Sequence, residues 1–120
     1  MQEPKLNLNL LSNLLKDNKK AIKHALELFV ETTLEDMSRL NKKIEEQKFL
    51  EAARLTHSLK SRFVYLGNDD ASEKVRTLES MLKEGKDGTR SEIRNLFDKL
   101  NSLINYCINQ IHEEIKVLES

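Results

Sequence analysis

His57 and Lys60 are the residues whose types and spacing could do chemistry, and both lie in Glu51-Ala-Ala-Arg-Leu-Thr-His57-Ser-Leu-Lys60-Ser61-Arg-Phe-Val-Tyr-Leu-Gly67. At about 100° per residue, a helix through this stretch puts Ala53, Arg54, His57, Lys60, Ser61 and Val64 on one side. Ala52, Leu55, Leu59 and Leu66 fall on the other. The imidazole then points away from the core. Imidazole offers a nitrogen lone pair at neutral pH, so it can attack phosphorus without a strong base. Lys60, one turn on, can offer positive charge to phosphoryl oxygens. Arg54, one turn back, adds a second cation, and Ser61 keeps the approach narrow enough for another protein's acidic pocket to enter.

Other reactive arrangements find little support. There is no Gly-rich phosphate loop, no Cys-x-x-Cys and no His-Glu-x-x-His, and no carboxylate stands at i+3 or i+4 to His57. Without a nucleotide site the chain is not a self-sufficient kinase, and no metal site is expected. His24 reads as a solvated surface histidine, and His112-Glu113-Glu114 as a solvated helix end rather than an adventitious metal site. Cys107 reads as a small core residue rather than a reactive thiol.

The chemistry needs a rigid support, and the composition allows one kind. Three glycines, one proline and scattered β-branched residues leave the helical period without a rival, so the fold class is all-α. With 120 residues the chain makes one domain, 1–120, burying roughly two-thirds of its unfolded surface. Twenty basic and twenty acidic residues cancel, which leaves no electrostatic footprint for nucleic acid or an anionic membrane. A single cysteine cannot form an internal disulfide, and no apolar run reaches the roughly 18 residues of a membrane span. The expected location is the cytoplasm, with no membrane insertion.

Residues 1 to 5 form a polar lead that should fray. Leu8, Leu11, Leu14 and Leu15 predict a short first helix whose leucines cover the core, ending in Lys16-Asp17-Asn18. A second helix is expected from Lys19 to Gln47, with Ile22, Leu26, Phe29, Thr33, Met37, Leu40 and Ile44 on its seam. The third, Lys48 to Leu66, carries His57 and stops at Gly67, after which Asp69 or Asp70 can cap the fourth, Asp70 to Glu84. That helix should bury Ala71, Val75, Leu78 and Leu82. Gly85-Lys-Asp-Gly88 marks a turn, and the last helix, Thr89 to Leu118, sets Ile93, Leu96, Leu100, Leu103, Cys107, Ile111, Ile115 and Leu118 on one stripe. Four long amphipathic helices with short connections pack as an antiparallel up-and-down four-helix bundle, the first helix capping one end. The predicted core includes Phe29, Leu55, Leu59, Leu78, Leu100 and Ile111.

His57-Ser58-Leu59-Lys60-Ser61 followed by Leu66-Gly67 resembles the signature of histidine-containing phosphotransfer (HPt) domains of bacterial phosphorelays, His-x-Leu-Lys-Gly-small and then Leu-Gly. The helix lengths resemble the family's over residues 8 to about 116. Ser61 stands where the family usually has glycine, and Arg62, Phe63 and Tyr65 where it usually has small residues. The resemblance implies that His57 accepts a phosphoryl group from the aspartyl phosphate of a response-regulator receiver domain and passes it to another receiver, with Lys60 stabilising phosphoryl charge. It implies no cofactor in this chain, since magnesium in that family sits in the receiver. It leaves open a free-standing protein or part of a hybrid sensor kinase. Partner contacts are expected at Ala53, Arg54, Ser61 and Val64.

Two other readings compete. The phosphoacceptor and dimerisation hairpin of a sensor histidine kinase would follow its histidine with an acidic residue and soon a proline, but Ser58 follows here and no proline does. Such a hairpin must dimerise to complete four helices, whereas this chain should be a monomer. A non-catalytic helical adaptor would bind through exposed Leu or Val positions, with His57 incidental.

Overall fold

The computed structural model describes residues 7–84 and 90–120, and its elements are five helices: α1 Asn9–Leu14, α2 Lys19–Glu45, α3 Phe49–Tyr65, α4 Asp69–Glu84 and α5 Arg90–Glu119. No strand occurs among the described residues. The frayed lead expected at residues 1–5 and the Gly85–Gly88 turn lie outside those described.

Local chemistry sets the boundaries. Asn18 caps α2, its Oδ1 accepting from the Ala21 amide at 3.0 Å, and Asn68 caps α4 by accepting from Ala71 at 3.1 Å. The cap of α4 is therefore Asn68 rather than Asp69 or Asp70, which occupy the first turn where carboxylates favour the helix dipole. Helices α1, α2 and α3 end in the same way. The Asp17, Lys48 and Asn68 amides donate to the carbonyls of Ser12, Lys43 and Phe63, five residues back, around left-handed Lys16, Gln47 and Gly67 respectively.

Cross-helix pairs give the topology. Phe29 meets Phe63 edge-on at 5.6 Å between centroids and Lys43 meets Glu51 at 3.7 Å, so α2 and α3 run antiparallel. Arg94 donates to Asn41 at 2.8 Å and Lys23 pairs with Glu119 at 3.1 Å, so α2 and α5 do too. Helix α4 closes the ring by packing on α3 and α5. The chain is thus the four-helix bundle expected, with a short additional N-terminal helix.

The core holds Leu26, Leu40, Leu59, Phe63, Val75, Leu78, Leu82, Ile93, Leu100 and Ile111, each without measurable exposure. Leu55, expected among them, is only partly buried. On α5 the buried positions include Phe97 and Ile104, while Leu96 and Leu103 are partly buried. Packing against both α2 and α4 broadens the buried face of α5 and turns its centre by about one residue. Leu8, Leu11 and Leu15 cover the core as expected, but Leu10 and Leu14 face outward.

A second, more buried ion pair joins α2 and α3. Asp36 Oδ2 sits 2.6 Å from Arg62 Nη1, and the Asp36 side chain is only 12% exposed. The contact lacks hydrogen-bond geometry, so charge neutralisation is what Arg62 supplies to a carboxylate that would be costly to bury alone.

Candidate functional site

Helix α3 owes its place to the stripe Ala52, Ala53, Thr56, Leu59 and Phe63, all buried. The opposite face carries Arg54, His57, Ser58, Ser61 and Val64, all exposed. Lys60 lies at the boundary, its side chain 27% exposed against 73% for His57. Of the residues expected on the outward face, Ala53 is the correction: it is 5% exposed and belongs to the core. Its methyl group stays close to the helix axis, where flanking helices cover it, whereas the longer Arg54 beside it reaches past them. Thr56 fixes this buried side by donating its hydroxyl to the Ala53 carbonyl.

The structure adds a residue absent from the sequence-based site. Glu79 of α4 points its carboxylate at the α3 surface, with Oε2 3.6 Å from His57 Nδ1 and Oε1 3.5 Å from Lys60 Nζ. At these lengths the contacts are electrostatic, just beyond hydrogen bonds. Lys83, one turn along α4, reaches Oε1 at 3.9 Å. The Glu79 side chain is 12% exposed, so a carboxylate held largely out of water gathers two lysines and one imidazole around it. Its position beside buried Leu78 was the one available signal, since a residue flanking a seam lies at the helix edge.

The remaining candidates separate from this cluster. His24 and His112 are exposed on α2 and α5. Cys107 is fully buried; burial pushes its thiol up from its ordinary value, and the nearby Asn68 amide offsets part of that. Among the described residues no group of three or more His, Cys, Asp or Glu could hold a metal ion, and no helix is long and apolar enough to cross a membrane.

An exposed histidine, backed by a carboxylate and flanked by a lysine on a helix of a four-helix bundle, is an arrangement suited to carrying a phosphoryl group. The Hpt domain family matches residues 24–119 of this chain. The chain belongs to the Hpt family. Hpt domains are phosphocarriers of phosphorelays and generally interact with receiver domains. No curated protein and no solved structure matches the chain significantly. Two of the positions where this Hpt domain departs from the usual motif point inward: Phe63 packs on Phe29, and Arg62 neutralises Asp36. Ser61 and Tyr65 stay on the surface.

Proposed function

We propose that this Hpt domain is a phosphorelay intermediate in which His57 accepts a phosphoryl group from a receiver's aspartyl phosphate and returns it to the aspartate of another. The observation that carries the proposal is the His57–Glu79–Lys60 cluster on the exposed face of α3.

With Nδ1 turned to Glu79, the far ring nitrogen, Nε2, is the one offered to a partner. Its lone pair attacks phosphorus, the N–P bond forms, and the P–O bond to the aspartate breaks as the carboxylate leaves with the electron pair. The ring becomes cationic while Nδ1 keeps its proton, and Glu79 stabilises that charge. Lys60 lies beside the incoming group and can move from Glu79 to the phosphoryl oxygens. Lys83 remains at Glu79 when it does. Phosphoryl transfer is mostly positioning and charge stabilisation, so a bundle with no nucleotide site can supply half of an active site. The partner receiver would bring the magnesium. Arg54, Ser61 and Val64 surround the histidine and are the surface a receiver would cover. Four long helices from one chain complete the bundle, which supports a monomer rather than a dimerising hairpin.

The test is phosphoryl uptake by His57→Gln, which keeps size and polarity but loses the nucleophile. Uptake of acid-labile phosphate should vanish with folding unchanged, while variants of His24 and His112 label normally. Labelling of the His57 variant would move the acceptor elsewhere.

A further inference from the structure

We infer that the basic groove between the end of α2 and the start of α3 docks an acidic segment of the protein partner that exchanges phosphoryl with His57, an inference resting on the acceptor reading above. The groove encloses roughly 490 Å³ and is lined by Arg39, Lys42, Lys43, Lys48 and Arg54, with Leu55 also in its wall. Two carboxylates line it as well, and each is already engaged. Glu46 lies 3.7 Å from Lys48, and Glu51 lies 3.7 Å from Lys43. Arg39 makes only a long 4.0 Å contact to Asp36, whose other oxygen holds Arg62. Lys42 and Arg54 are exposed and make no ion pair among the described residues.

Five cations and two carboxylates leave three positive charges in one groove of a chain whose total is zero. The negative end of the α2 dipole accounts for Lys42 and Lys43 in its last turn. It does not account for Arg54, beyond the first turn of α3. Cations that outnumber their carboxylate partners repel one another, and a ligand with several carboxylates would relieve Lys42, Arg54 and the loosely held Arg39 together.

Arg54 decides which ligand. It lines the groove and stands one helical turn before His57, so the groove ends one turn short of the acceptor on the same helix. A protein seated over His57 would place its neighbouring segment here. Nucleic acid fits less well, because the neutral chain has no electrostatic footprint for an extended phosphate backbone.

A deca-glutamate peptide is the probe. Amide shifts in the nuclear magnetic resonance spectrum should gather on residues 39–54 and fade between roughly 50 and 300 mM salt as screening grows. The double variant Arg39→Glu, Lys42→Glu should bind about tenfold more weakly or worse. If that variant does not fold, Lys42→Gln should still weaken binding measurably. Shifts spread evenly over the chain's other lysines, or unchanged affinity in a folded variant, would overturn the groove. The peptide should also slow phosphoryl uptake from a phosphorylated receiver; binding in the groove without slowing that transfer would overturn the partner assignment. Labelling of the wild-type protein by phosphoramidate, which needs no docked protein, tests the acceptor reading separately, because its failure leaves the peptide result intact.

Discussion

Glu79 and His57 meet across the α3–α4 interface, with Oε2 3.6 Å from Nδ1, although 22 residues separate them in the chain. The contact turns one ring nitrogen inward and pairs it with a fixed negative charge. Glu79→Gln keeps the shape and removes the charge, so the maximal rate of phosphoryl uptake should fall about tenfold, the effect of losing ~1.4 kcal/mol of transition-state stabilisation. Single-turnover transfer at saturating receiver measures it. A rate equal to wild type would reduce Glu79 to a structural partner of Lys60 and Lys83.

Lys60 acts through charge in the proposed mechanism, so Lys60→Ala should slow transfer without unfolding the bundle. A partly exposed lysine contributes little to stability. Lys60→Arg keeps the charge with different geometry and should recover part of the rate. Measuring the rate across receiver concentrations separates this from docking, because a pure docking role would weaken apparent affinity and leave the maximal rate untouched.

Gly67 should tolerate no side chain. Its φ is +66°, and a Cβ there would lie 2.6 Å from Asn7 Cβ and 2.8 Å from the Asn7 carbonyl oxygen. The Asn7 amide donates to Leu66 O at 3.0 Å, which holds Asn7 against this turn. Gly67→Ala should therefore cost more than the ~1–2 kcal/mol of left-handed backbone alone, read from chemical denaturation. In a chain shortened past Asn7 the same substitution should cost only the backbone part.

Cys107 provides a pH test. Its folded-state pKa is raised, mainly by burial, so in alkaline solution the unfolded chain gives up the thiol proton first, from about pH 8.5. The unfolded state then binds fewer protons than the folded one, and stability falls as pH rises through that value. Cys107→Ala lacks this loss. The stability difference between wild type and Cys107→Ala should narrow between roughly pH 7 and pH 10, as measured by urea denaturation at both. A constant difference would contradict the raised value.

Helix positions, the stop at Gly67 and the outward histidine were legible from the sequence because each depends on local chemistry. The 3.6-residue period of Ile22 through Ile44 specifies α2, and the spacing of Leu59 and His57 puts them on opposite faces whatever α3 packs against. Tertiary structure decided what lies beside that face. A helical wheel gives an angle on one helix and says nothing about how far its neighbours wrap around it. That is why Ala53 is covered while Arg54 is free, and why Phe97 and Ile104 replaced Leu96 and Leu103 at the centre of the α5 face. Glu79 is the strongest case: it reaches His57 because α3 and α4 pack antiparallel in a register set by the fit of their buried side chains, a relation between distant segments that no local spacing encodes.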